Sequence, residues 1–197
     1  MDLIVLATRN EGKARELSNL LHGIAHRVES LRAHPEIELP PETGSTYREN
    51  ALAKARAVHD ALRVPGLGDD SGLEVDALQG APGLHSARYA GPHATDRANI
   101  DRLLNALKDI PPQQRSARFR CVLALVGASD TPIVVEGVCE GQILGEPRGV
   151  AGFGYDPVFL PNGETLTFAE LTSEGKALLS HRGRAALALR NLLDTGH

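Results

Sequence analysis

The 197-residue chain sets 21 lysines and arginines against 25 aspartates and glutamates, a formal charge of −4 with its histidines neutral. That balance argues against a nucleic-acid surface, which needs a positive stripe to displace counterions, and an aromatic share of 4% leaves few stacking platforms for single strands. The length suits a single domain, or one two-lobed unit, over residues 1–197, with 42% hydrophobic residues for its core; a small anionic ligand stays possible, because a few local cations can serve it.

Leu3 to Ala7 is an unbroken apolar run between polar residues, as in a strand buried on both faces. Before it there is no basic flank of a signal peptide, and no apolar stretch in the chain is long enough to cross a bilayer. A cytoplasmic protein without membrane partners is expected. From Lys13 the positions Ala14, Leu17, Leu20 and Leu21 follow helical spacing. Residues 33–44, rich in proline and acid, read as a long connection. Thr46-Tyr47-Arg48-Glu49 has the form of a capping box and starts a helix with Leu52, Ala55, Val58 and Leu62 on one face, ending before Pro65. A short strand through Leu67 leads to an acidic turn, Asp69-Asp70-Ser71-Gly72, and a second strand follows over Leu73 to Leu78.

Thr95 caps a third helix bearing Ile100, Leu103, Leu104 and Leu107. Phe119, Cys121, Leu123 and Leu125 alternate as one apolar face of a strand, with Ile133 to Val138 its neighbour across a turn at Ala128-Ser129-Asp130. Cys121 and Cys139 sit in apolar runs and read as buried, reduced thiols; no zinc-ligand spacing occurs. A glycine-rich turn spans Gly149 to Pro157, and a last helix carries Ala185, Leu189, Leu192 and Leu193. Helices mix with strands throughout, so the class is α/β with a mixed sheet.

Four groups carry chemistry. In Thr8-Arg9-Asn10-Glu11-Gly12-Lys13 a strand runs through a polar loop into a helix, whose free N–H groups and positive dipole end favour an anion. It is neither a Walker A loop nor a dinucleotide fingerprint, and an ordinary polar loop remains open. Asp69 and Asp70 can offer oxygen ligands to Mg²⁺ or take a proton from water, or can simply shape a turn. Asp-Ser-Gly also occurs in aspartic proteases, but that chemistry needs two facing copies, and the chain has one. Lys54, Lys176 and the pair His181-Arg182 are scattered cations. A His-Arg pair at a helix start opposes the macrodipole, a conflict that a nearby anion relieves and that solvent exposure also tolerates. Finally, glycines flanking Phe153 leave room for its ring to meet a flat ligand, and Asp156 can accept from a purine edge, although Phe153 and Tyr155 also suit a core.

Taken together, these segments resemble the non-canonical purine nucleoside triphosphate pyrophosphatases, the inosine triphosphate pyrophosphatase family. Thr8 to Lys13, Glu42-Thr43-Gly44 with Thr46 to Ala51, Asp69 to Leu73, Phe153 to Pro157 and Ser180 to Gly183 match in order, across nearly the whole chain. The resemblance implies an elongated α/β fold of two lobes, with a central mixed sheet flanked by helices, an active-site cleft between the lobes, and a homodimer. It implies Mg²⁺-dependent hydrolysis of ITP, dITP or XTP at the α–β phosphoanhydride, giving the monophosphate and pyrophosphate. Thr8, Arg9, Asn10, Glu11, Gly12 and Lys13 would then hold phosphates, with Lys54 a further contact. Asp70 would be general base and metal ligand, with Glu42 and Asp69 supporting Mg²⁺. Ser71, Phe153, Gly154, Tyr155, Asp156, Lys176, His181 and Arg182 would contact the nucleotide, Phe153 by stacking and His181 or Arg182 by donating to the 6-keto group. Arg9 departs from the glycine of many members, and Tyr47 stands where phenylalanine is frequent. Two further readings are a nucleotide-binding regulatory module without turnover and a pyrophosphatase for other modified nucleotides.

Overall fold

The computed structural model describes residues 1–195, so the last two residues of the expected 1–197 domain lie outside the described residues. Six strands form one mixed sheet in the order β2-β1-β3-β4-β5-β6. They are β1 (Leu3–Leu6), β2 (Arg27–Ser30), β3 (Gly66–Val75), β4 (Ser116–Val126), β5 (Ile133–Ile143) and β6 (Phe159–Pro161). The helices are α1 (Glu11–Leu20), α2 (Tyr47–Leu62), α3 (Asp96–Ala106), α4 (Ser173–Leu179) and α5 (His181–Asp194). β1 pairs in parallel with β2 and β3, whereas β5 and β6 are antiparallel. No helix among the described residues is long and apolar enough to cross a membrane.

The chain divides into two compact units and passes between them at Asp70-Ser71, Arg120-Cys121, Gly137-Val138 and Ser180-His181. In the first unit β1 is buried on both faces, as its apolar run predicts. Ile4 and Leu6 join Leu17 of α1 and Leu21 just past its end, Cys121, Leu123 and Leu125 of β4 and Ala185 and Leu189 of α5. Val5 and Ala7 turn the other way, to Val58 of α2 with Leu31 and Ile37. The alternation along one strand therefore decides which helices lie on which face.

α1 starts at Glu11, three residues before the first periodic apolar position, Ala14, because the Asn10 side chain accepts from the Lys13 N–H and caps it. At α2 half of the expected capping box forms. Thr46 Oγ1 accepts from the Glu49 N–H at 3.1 Å, but the Glu49 carboxylate accepts from Ser45, not from Thr46. The helix stops at Arg63 in the left-handed region, before Pro65.

The expected acidic turn does not exist: Gly66 to Val75 is one continuous strand, with Asp69 and Asp70 in its middle. Two carboxylates can sit there because cations from three helices meet them, as described below. Gly68 lets the strand approach α2, since a Cβ there would overlap the Ala51 carbonyl oxygen.

In the second unit Ile100 and Leu103 of α3, with Leu107 just past its end, pack with Leu73, Val75, Ala117, Phe119, Tyr155, Phe159 and Phe168. Thr95 caps α3 by accepting from the Ala98 N–H. The rings of Phe119, Phe159 and Phe168 lie with centroids 4.7 to 5.8 Å apart. β2, β6 and α4 were not legible in sequence: β2 has only four residues and β6 three, and α4 lies one residue ahead of α5.

Candidate active site

The period of two along β3 sends its adjacent aspartates to opposite faces of the sheet. Asp69 faces the side of α1 and α5. Its Oδ1 accepts from Lys13 Nζ at 2.5 Å and its Oδ2 from Arg182 Nε at 2.7 Å, with the Cys121 thiol at 3.5 Å. Asp70 faces α2, where Oδ1 accepts from Lys54 Nζ at 2.8 Å and Oδ2 from Asn50 Nδ2 at 3.1 Å. Lys54 Nζ also lies 2.5 Å from Glu42 Oε1, so Glu42 and Asp70 converge on one ammonium.

Burial and pairing act on these groups in opposite senses. Burial alone would raise the Asp69 proton affinity, but the charges of Arg182 and Lys13 win and hold it well below the usual carboxylate range. For Asp70 burial prevails over the opposing pull of Lys54 and Asn50, and its affinity rises. Burial pulls the Lys54 ammonium down, yet Asp70 and Glu42 more than compensate and raise it. The Cys121 thiol is pushed well up by burial and by the Asp69 charge, so it is a protonated structural group, and Cys139 is likewise buried and outside any disulfide, as the apolar surroundings of both suggest.

Arg182 is only 2% exposed and His181 4%, which rules out the solvent-facing reading of that pair. The conflict between Arg182 and the start of α5 is relieved by the protein's own carboxylates: Asp69 on Nε and Glu16 on Nη1 at 2.5 Å. Lys54, which could have been a solvated helix residue, is 7% exposed.

The loop before α1 divides its residues among several tasks. Thr8 Oγ1 accepts from the Asn10 N–H, and Asn10 spends its side chain on the helix cap. Lys13 alone reaches the acidic pair. The Glu11 and Gly12 N–H groups at the helix start have no partner among the described residues. Arg9 turns to the carbonyls of Pro35 and Ile37, and Glu11 to Arg32 at 2.9 Å.

In the second unit Asp156, 3% exposed, is the organiser of its glycine-rich turn. Its Oδ2 accepts from the Phe153 N–H at 2.9 Å and from Lys176 Nζ at 2.5 Å. Gly152 has φ +77°, and a Cβ there would overlap that same carboxylate. Lys176 Nζ lies 5.0 Å from the centroid of the half-buried Phe153 ring and 5.4 Å from that of Phe168. The Gly154 N–H donates to Asp96, and the Tyr155 hydroxyl to the Ser86 carbonyl at 2.8 Å. Burial raises the Tyr155 phenol, and its ring belongs to the core. Ser71 is half-buried on β3.

Two members of the cluster had no role in the sequence reading. Asn50 precedes Lys54 by four residues and Glu16 follows Lys13 by three, spacings that place each pair on one helix face. That periodicity was the available signal. Among the described residues no three His, Cys, Asp or Glu side chains gather into a ready metal cage. Mg²⁺ does not need one: it takes one or two carboxylates, with water and phosphate oxygens completing the set. Glu42 and Asp70, already drawn to one cation, fit that donor set.

The class so defined is an α/β protein whose central strand carries a carboxylate pair on opposite faces, beside a helix start with open N–H groups, an arrangement suited to a phosphorylated ligand. The chain belongs to the Ham1 family, whose pattern it matches over residues 4–192. It is 51% identical over 198 residues to a dITP/XTP pyrophosphatase of Vibrio cholerae, covering 98% of each chain. It is 48% identical over 190 residues to one of Halalkalibacterium halodurans, covering 96% of this chain and 98% of that one. Among solved structures, a HAM1 protein from Coxiella burnetii is similar over the full length of both chains, with a TM-score of 0.87 and 41% identity.

Proposed function

We propose that the chain hydrolyses deaminated purine nucleoside triphosphates, dITP, XTP and ITP, to the monophosphate and pyrophosphate. The observation that carries this reading is the convergence of Asp70 and Glu42 on one cation, beside a helix start with open N–H groups, in a chain about half identical to dITP/XTP pyrophosphatases. The N–H groups of Glu11 and Gly12 and the Lys13 ammonium hold phosphate oxygens. Water adds to the α-phosphorus, its proton passes to the Asp70 carboxylate, and the bond to the bridging oxygen breaks with its electron pair leaving on pyrophosphate. Burial helps Asp70 in that task, since a carboxylate with raised proton affinity is the better base. Glu42 and Asp70 hold Mg²⁺, which supplies charge neutralisation at the phosphates when bound.

Asp69 takes a different role from the metal support expected of it: both its oxygens serve Lys13 and Arg182, so it positions cations. Phe153, with Lys176 and Asp156 fixing its turn, offers the flat contact for the base, and Ser71, Gly154 and His181 contribute to nucleotide binding. The protein acts in the cytoplasm as a homodimer, without nucleic-acid or membrane partners.

Side-by-side assays with Mg²⁺ on ITP, XTP, dITP, GTP, ATP and modified dUTP test the reading. The first three should exceed ATP in kcat/KM by about 10⁴-fold, the discrimination open to a site that hydrogen-bonds a keto group adenine lacks. They should also exceed GTP, which shares that keto group and differs by its 2-amino group. Equal rates on all, or orthophosphate as first product, would overturn it. Asp70→Asn should keep dITP affinity and lose kcat by about 10²–10⁴-fold, as expected for removal of a general base. Binding without any turnover in the unmodified protein would instead mean a regulatory module.

A further inference from the structure

α1 has two chemically different faces. Lys13 and Glu16 look toward Asp69 and Arg182. At 3.6 residues per turn, Glu11, Ala14 and Arg15 lie on the nearly opposite face. There they line a pocket of about 350 Å³ whose remaining walls are Arg9, Ser30 and Arg32. Three arginines and one glutamate thus line it. Glu11 pairs with Arg32 at 2.9 Å. Arg9 is held by two carbonyls, those of Pro35 and Ile37 at 3.2 and 2.8 Å, which fix its position but leave its charge unbalanced. Arg15 makes no hydrogen bond or ion pair with any described residue. Ser30 adds a hydroxyl at the end of β2, on the strand face that Val28 shares with α1.

We propose that this pocket is a second anion site, for a small polyphosphate or phosphate oxyanion, separate from the carboxylate cluster. The excess of two positive charges selects an anion, and the planar forks of arginine suit tetrahedral oxyanions through paired N–H donors. Arg9 gives the pocket its fixed wall. The same side chain grips the connection over residues 33–44 that leads to Glu42, so the occupant sits against the back of the segment that supplies one of the two converging carboxylates. Pyrophosphate, the product of the proposed reaction, and orthophosphate share the required chemistry. The site's existence does not depend on that reaction.

Calorimetric titration of the full chain with pyrophosphate, and separately with orthophosphate, tests this. The comparison is between the unmodified protein, Arg15→Ser/Arg32→Ser and Lys13→Met. Both arginines are exposed, so the double variant should fold as the parent does, which thermal unfolding checks. The unmodified protein should take one pyrophosphate in the pocket with Kd under about 1 mM, in addition to any bound near Lys13. The double variant should lose that event with unchanged kcat and KM for dITP, whereas Lys13→Met should retain it. A preference for orthophosphate over pyrophosphate also supports the pocket and narrows its occupant. An isotherm unaltered by Arg15→Ser/Arg32→Ser, or binding abolished wholly by Lys13→Met, would overturn the proposal. If dITP is not hydrolysed but the arginine-dependent binding persists, the anion site stands and the proposed reaction falls.

Discussion

Asp69 and Asp70 are sequence neighbours buried in one strand, and the charges that meet them set them apart. Asp69 answers to two cations, one of them the fully buried Arg182, while Asp70 shares Lys54 with Glu42. The pH dependence follows from the depressed affinity of Asp69. Its contribution to stability is fully present above the ordinary 3.8 and is lost as pH falls through its lower folded value. Asp70 runs the other way: its raised affinity favours the folded state at low pH, and that contribution is lost as pH rises through the folded value. Asp69→Asn leaves Arg182 buried with Glu16 as its nearest counter-charge, so it should cost about 3–5 kcal/mol at neutral pH, the usual penalty for breaking a buried pair. Urea denaturation followed from pH 7 downward should show a constant gap between the two proteins that closes below 3.8. A gap that widens in acid would contradict the assignment. None of these partnerships was legible in sequence as a pair. Arg182 and Asp69 are 113 residues apart, and no local pattern joins them.

Elements were read more successfully than their junctions. The core faces of β1 and α3 and the starts of α2 and α3 follow from period and capping residues, which are local properties. Asp-Asp-Ser-Gly read as a turn because acids and glycine are ordinarily turn residues, and only tertiary cations make them tolerable within a strand. The glycine spacing in that strand was informative in another way. Gly66 and Gly68 face α2, and a Cβ at Gly68 would meet the Ala51 carbonyl. Gly68→Ala should therefore push α2 away, costing about 1–3 kcal/mol as overpacking does. Because α2 carries both Asn50 and Lys54, kcat should fall in the same variant even where it is still fully folded. A stable Gly68→Ala protein of unchanged activity would show that α2 does not position Asp70.

For the whole molecule, the order of five motifs pointed to family membership, since each motif survives as a continuous stretch. The division into units could not be read in that way, because each unit is assembled from separated segments. The first needs residues up to Asp70, the stretch Cys121–Gly137 and everything from His181 onward. Ending the chain at Ser180 removes Ala185, Ala186 and Leu189 from the core around Leu17 and Leu21, together with Arg182. Truncating a single buried leucine such as Leu189 costs about 2–5 kcal/mol, so losing it with the rest of the helix and Arg182 should leave the unit unfolded, as measured by loss of the cooperative thermal transition. A truncated protein that still melts cooperatively would refute this.

The same discontinuity sets a schedule during biosynthesis. The ribosome delivers β1, α1, β2 and α2 early, yet the apolar cluster around Leu17 and Leu21 stays incomplete until Ala185, Ala186 and Leu189 of α5 arrive. For most of its synthesis the nascent chain carries an unfinished hydrophobic surface, the kind that favours aggregation, until the segment from His181 has emerged.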